Sequence, residues 1–271
     1  MASTERQQRA FHLVAVEGET KVSRRFEIWS SGGGTQSAAI AVLILQGRLP
    51  RPDYAVIADT GREKKSTWEY LEQVVNPALW QKERFFIERI PCIEKEPSIF
   101  NGQGTLLIPI FYTGGAKLAN FCSSYWKRDK VKRWALDRNL TPATNWIGFS
   151  TNEMERVSTP RAANWLLDYP LIFKVPMSRM GCVNLVREYG WPEPPRSHCW
   201  MCPNTPDSGW VALREQSPQE FTQAVEFERE MQKTKPDAFL HKSLVPLDQV
   251  EFKEKDESQG TLGCNSGDCF V

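Results

Sequence analysis

Short apolar runs alternate along the chain with polar, turn-rich stretches, and each run has the length of one secondary-structure element. Phe26 and Ile28 open an apolar segment that runs into Ser30-Ser31-Gly32-Gly33-Gly34, and Ala38 to Leu45 follows as a run of helix-forming residues stopped by Gly47 and Pro50. That order predicts strand, glycine loop, helix. Tyr54 to Ala58, between Pro52 and Asp59, has the length of a buried parallel strand. Trp68, Leu71, Val74 and Val75 recur at helical spacing and predict a helix over 65–80. Residues 84–90 read as a third strand. Residues 91–118 carry Pro91, Pro97, Pro109, Gly102, Gly104, Gly114 and Gly115 and read as a long loop, a common form for lids and binding segments. Further on, 121–134 reads as a basic helix, 146–150 as a strand, 178–189 as a helix, and 217–232 as a helix opened by Ser217-Pro218. Strands alternating with helices imply an α/β class with a doubly wound, mostly parallel sheet. The pattern divides into an arm over 1–25 with a short strand at Phe11 to Val16, a central domain over 26–215, and a Cys-bearing C-terminal helix and tail over 216–271.

Composition narrows the class. The chain has 271 residues, 41% apolar and 25% charged, with a formal net charge of +1. These values suit one large α/β domain and give no global pull toward nucleic acid or acidic membranes. No apolar run approaches the roughly 20 residues of a membrane helix. The first residues lack the apolar core of a secretory signal, so a cytoplasmic location without membrane partners is expected. Seven cysteines do not make a paired disulfide framework. In a reducing compartment, clustered cysteines point to metal binding or catalysis. Most of the ten tryptophans read as core and rim packing.

The glycine loop carries the first candidate chemistry. Glycines bring backbone close to a ligand, and the first amides of the following helix lack internal partners. Together with the helix dipole they form an anion site, to which Ser31, Thr35 and Ser37 add hydroxyls. The G-x-x-x-x-G-K-[ST] and G-x-G-x-x-G patterns are both absent. Ser31-Gly32-Gly33-Gly34-Thr35-Gln36-Ser37 instead resembles the S-G-G-x-D-S loop of the PP-loop adenine nucleotide alpha hydrolase superfamily, with Gln36 at the acidic position. Asp59-Thr60-Gly61, then Thr67 and Tyr70, resembles the D-T-G-x(5)-T-x-x-Y stretch of the phosphoadenosine phosphosulfate (PAPS) reductase family within it.

Later segments extend that resemblance. Cys122 and Lys127 match a C-T-x-x-x-K segment whose Lys faces the nucleotide. Gly148, Glu153 and Arg156 match G-x-R-x-x-E-S-x-x-R, with Ser150 in place of its first Arg. Tyr169-Pro170-Leu171 matches a Y-P-L stretch. The resemblance implies ATP or a related adenine nucleotide held by residues 31–37, Asp59, Thr60, Gly61, Lys127, Glu153 and Arg156, with Asp59 touching the nucleotide or its Mg. The lost Arg at 150 removes a bidentate anion partner, which leaves ATP or another adenylate beside a sulfonucleotide. Lys117, after the glycine-rich loop, is a further candidate to face a phosphate.

Cys199-Trp200-Met201-Cys202-Pro203 is a C-x-x-C whose spacing suits zinc, an iron–sulfur cluster or a redox disulfide. Cys122 and Cys182 are the natural further ligands, with His198 a poorer one. Adenylyl-sulfate reductases and DNA-phosphorothioation enzymes of the superfamily carry a 4Fe-4S cluster on scattered cysteines ending in C-x-x-C. Its tRNA thiolation enzymes keep three ligands and one open iron. Structural zinc is the alternative. Cys92 reads as an ordinary loop thiol. Cys264 and Cys269 stand near the C-terminus, where the reductases of this family carry a nucleophilic Cys, and are candidate catalytic thiols alongside Lys127.

These readings imply an enzyme acting in sulfur transfer or reduction, or in substrate adenylation with pyrophosphate release. A thiol reductant protein is an implied partner of the first chemistry, and self-association stays open. Two alternatives remain: a catalytically degenerate nucleotide-binding regulator, and a nucleic-acid modification enzyme that uses the basic stretch 126–133.

Overall fold

The computed structural model describes residues 24–91, 99–101, 103, 106–114, 117–119, 121–158 and 162–253. The expected strand at Phe11 to Val16, the Cys92 thiol and the tail with Cys264 and Cys269 lie outside the described residues.

Strand β1 (Phe26–Ser30) leads through the glycine loop into helix α1 (Thr35–Leu45). Strand β2 (Tyr54–Ala58) is followed by α2 (Lys65–Tyr70), a π-helical turn at Leu71–Val75, and α3 (Asn76–Glu83). The 65–80 helix of the sequence pattern is thus one bent, composite rod. Next come β3 (Ile87–Ile90) and the short β4 (Phe111–Tyr112). A second π-helical turn, Ser123–Arg128, enters α4 (Asp129–Asp137). Then follow β5 (Ala143–Ile147), a 3-10 turn at Thr151–Arg156, β6 (Trp165–Asp168), the single turn α5 (Pro170–Phe173) and α6 (Arg179–Glu188). Helices α7 (Asp207–Gln216) and α8 (Pro218–Thr234) precede β7 (Ala238–Phe239), which pairs antiparallel with β4.

The main sheet is five-stranded and wholly parallel, in the order β3-β2-β1-β5-β6. Side chains alternate across it with period two. Trp29, Ala55, Ile57, Ile87 and Trp146 face one side with α1, α3 and α6, while Ile28, Val56, Ala58, Ile90 and Ala143 face the other with α4. Helices therefore cover both faces, which is the doubly wound arrangement. Every residue of α1 is buried. Its run of Ala, Ile, Val and Leu is apolar all round because both of its sides meet protein. A second core forms where α7, α8 and the β4–β7 pair pack around Trp210, Met201 and Trp126.

Two expectations shift. The strand placed at 146–150 runs instead from Ala143 to Ile147. Its polar Thr144 and Asn145 break the apolar pattern, yet Asn145 is buried and its Oδ1 accepts the Ser30 hydroxyl at 2.7 Å. Strand β6 and helix α7 lie in stretches whose pattern predicts no element; the apolar positions of β6 are too few to stand out.

Candidate functional site

The sheet reverses its winding between β1 and β5, since the chain builds outward from β1 in one direction and from β5 in the other. Above the carboxyl ends of these two strands lies a small open cleft lined by Ser30, Gly32, Gly34, Gln36, Ser37, Ile147, Gly148 and Phe149. Open α/β sheets bind ligands at this switch point because the two flanking loops part there.

The glycine loop is built for close approach. Gly33 has φ +72°, and a Cβ there would lie 2.6 Å from Thr67 Cγ2 and 3.0 Å from Ile57 Cδ1. Gly32 N donates to Ser37 Oγ at 2.9 Å and Gly33 N donates to Ser31 Oγ at 3.2 Å. Each hydroxyl thus accepts from the loop, which leaves its own O–H as a donor, and Ser37 lines the cleft. Gly34 caps α1 without a side-chain hydrogen bond, and the first turn carries no acid. The first-turn amides have no intrahelical carbonyl to bond, so they and the helix dipole favour an anion. Thr67 and Tyr70 of α2 support the loop from behind. Thr67 is fully buried against Gly33, and Tyr70 donates from its hydroxyl to Pro192 O at 2.9 Å.

Glu153 and Arg156 join this site as the sequence pattern implies. Gln36 Nε2 donates to Glu153 Oε2 at 3.0 Å, and Ser150 gives the same oxygen two bonds of 3.1 Å from its amide and hydroxyl. Arg156 pairs with the other carboxylate oxygen and lies 4.1 Å from the Phe149 ring centroid. Phe149 stacks on Tyr169. The residue that replaces the loop's usual acid is therefore held by a carboxylate from the far side of the cleft.

Asp59 is engaged from three sides. Arg89 donates to Oδ2 at 3.0 and 2.6 Å, Gly61 N donates to Oδ1 at 2.7 Å, and Lys130 Nζ reaches its carbonyl at 2.8 Å. Arg89 itself lies 4.0 Å from the Trp68 ring centroid. Lys127 forms a buried ion pair with Glu63 at 2.6 Å. Lys117 bonds to Asn204 and lies over the Phe111 ring.

The C-x-x-C segment docks on the turn after β2. Trp200 N donates to Arg62 O at 3.0 Å, Glu63 and Cys199 form an isolated antiparallel bridge, and Cys199 Sγ is 3.6 Å from Thr60 Oγ1. Two residues before Cys199, Ser197 donates to Gly32 O. This segment therefore links the glycine loop to the Asp59-Thr60-Gly61 turn. Burial, reinforced by Glu63 and opposed by Lys127 and Thr60, pushes the Cys199 thiol up to about 12. Burial also raises Cys122. Nδ1 of His198 lies 3.1 Å from Arg196 O, while Nε2 is shut off from solvent without a hydrogen-bond partner. Burial, then Lys64, lowers its pKa to about 3, so the ring is neutral.

The four-cysteine metal set does not assemble. Cys122, Cys182, Cys199 and Cys202 form no disulfide among the described residues, and among those residues no group of three or more His, Cys, Asp or Glu side chains is placed to hold a metal. Cys182 is the misplaced member. It shares the buried face of α6 with Leu185 and Val186 and packs in the α1 core, whereas Cys122 and Cys199 pack against the second core. Burial pushes its thiol up to about 12. An apolar helix face recruits Cys as a small hydrophobe, and spacing alone does not separate that use from ligation. Among the described residues, this set does not fit a four-cysteine iron–sulfur cluster.

Sequence reasoning missed Ser197, Arg89 and Glu63. Ser197 had one signal, its place two residues before Cys199. Arg89 and Glu63 read as ordinary charges of a strand and a turn.

The chain matches no protein-family model and no curated protein. Among solved structures it is similar to a phosphoadenylyl-sulfate (PAPS) reductase from Candida auris in a phosphate complex, at 11% identity and a TM-score of 0.42, covering 64% of this chain and 77% of that chain. No helix among the described residues is long and apolar enough to cross a membrane.

Proposed function

We propose that this protein is an adenine-nucleotide-binding enzyme of the PAPS reductase-like kind, holding the nucleotide's phosphates on the Gly32 to Ser37 loop. The observation that carries the reading is the coincidence of a positive-φ glycine loop, an uncapped helix N-terminus and a cleft at the point where the sheet reverses its winding. The motif resemblance of Asp59-Thr60-Gly61, Thr67 and Tyr70 supports it, because Thr67 packs against the loop's Gly33.

Phosphate oxygens would accept from the first amides of α1 and from the Ser31 and Ser37 hydroxyls. The base and ribose would extend toward Ile147, Gly148 and Phe149. Cys199, beside Thr60 at the carboxyl end of β2, would serve sulfur transfer or reduction. It rests as a protonated thiol, a weak nucleophile until a bound anion or base alters its surroundings. Adenylation of an acceptor with pyrophosphate release uses the same loop and needs no thiol. Cys264 and Cys269 remain candidate thiols of the tail.

A second reading is a nucleotide-binding regulator without turnover. Position 36 is an amide, and Asp59 and Glu153 are both bonded to arginines.

Thermal unfolding tests the binding claim. A ligand that binds the native state alone raises the melting temperature, logarithmically with its concentration above the dissociation constant. Adenine nucleotides should stabilise the protein and inorganic phosphate should do so more weakly. The reading fails if no adenine nucleotide shifts the transition. Turnover of ATP, adenylyl sulfate or PAPS then separates enzyme from regulator.

A further inference from the structure

We propose that the exposed stripe Phe121, Tyr125, Arg128 and Lys132 is a docking face for single-stranded nucleic acid. The four positions lie along one continuous stretch, Phe121 just before the π-helical turn, Tyr125 and Arg128 within it and Lys132 in α4. The segment opens at Phe121, whose carbonyl accepts from Tyr125 N at 3.0 Å. Other positions of the stretch are core: Trp126, Val131, Trp134 and Ala135 are buried. Phe121 and Tyr125 are 48% and 52% exposed, two large rings on one short stretch of surface.

Charge selects the occupant. Between residues 121 and 138, Lys127, Arg128, Lys130, Lys132, Arg133 and Arg138 outnumber Asp129 and Asp137 in a chain whose net charge is +1. Two of the cations anchor the segment to the exit of β2, Lys127 through Glu63 and Lys130 through the Asp59 carbonyl. Arg128 and Arg133 are exposed and Lys132 is partly so. Asp129 meets Arg128 at 3.3 Å with both side chains about half exposed, a contact that solvent screens and a phosphate can displace.

Two exposed rings four residues apart suit unstacked bases, and the cations beyond them suit the connecting phosphates. Duplex DNA hides its base faces, so the rings favour a single strand. The same segment adjoins the Asp59-Thr60-Gly61 turn, which brings a bound strand beside the candidate site. The face itself does not depend on nucleotide binding.

The test is fluorescence anisotropy of labelled single-stranded DNA and RNA oligonucleotides with the full chain, over a range of salt. Binding should weaken steeply with salt. Phe121→Ala and Tyr125→Ala should each cost about fivefold or more in affinity. Arg128→Gln with Lys132→Gln should flatten the logarithmic salt slope by about 1.4. These four side chains are exposed or partly exposed, so unchanged circular dichroism keeps the comparison valid. The proposal is overturned if no oligonucleotide binds at low salt, if the aromatic variants bind as well as the parent, or if duplex competes equally with single strand. Binding of an acidic polypeptide in place of oligonucleotide would also overturn it.

Discussion

Gly33 carries the tightest constraint in the molecule. Its left-handed backbone costs an L-residue about 1–2 kcal/mol, and an added Cβ would meet Thr67 at 2.6 Å. Gly33→Ala should lower both the melting temperature and nucleotide affinity, as measured by thermal unfolding with and without ligand. Gln36 is the next test. Gln36→Glu would set a second carboxylate against Glu153, now 3.0 Å from the amide nitrogen, and beside the anion site. Nucleotide affinity should drop about tenfold, while Glu153→Gln in the same background should restore part of it. For Cys199, held up to about 12, the thiolate fraction and hence the alkylation rate should climb about tenfold per pH unit from neutrality toward that value. Peptide mapping after timed alkylation measures this, and a rate already flat at neutral pH would refute the burial argument. At this scale the glycine loop was legible in the sequence because three glycines before a helix have few other uses. Cys182 was misread because a buried helix-face cysteine and a metal ligand share the same letter and differ only in what surrounds them.

Among the elements, β1, α1 and β2 stood out because long apolar runs between glycine and proline leave little choice. β5 was read three residues late, since the burial of Asn145 depends on the Ser30 hydroxyl from another strand. Helix α8 shows how a polar residue can serve a packing role that no pattern reveals. Glu228 is 1% exposed, and its two oxygens accept from Leu240 N at 2.7 Å and Leu247 N at 2.5 Å, fastening the C-terminal strand and turn to the helix. Burial raises its pKa, opposed by those two amides. Glu228→Gln would turn one acceptor into a donor facing an amide. The expected loss is about 1–3 kcal/mol, read as a lower denaturant midpoint at unchanged m-value. An unchanged midpoint would remove this clasp from the account.

At the level of the whole molecule, the alternation of strands and helices made the doubly wound class readable before any coordinates. The strand order was not readable, because it depends on which strands pair across long connections. That order places the cleft, and the cleft brings residues 31–37 together with Gly148, Phe149 and Glu153. It also shows the site's acids already bonded: Asp59 to Arg89, and Glu153 to Arg156 and Gln36. On the proposed reading, backbone amides and hydroxyls would then balance the phosphate charge. The most direct measurement is calorimetric titration of the protein with ATP, AMP, adenylyl sulfate and PAPS, once in EDTA and once with Mg²⁺. The account predicts saturable binding of at least one adenine nucleotide that is as strong in EDTA as with Mg²⁺ and is weakened by Gly33→Ala. Absence of binding to all four, or binding that vanishes in EDTA and ignores the Gly33 substitution, would contradict it.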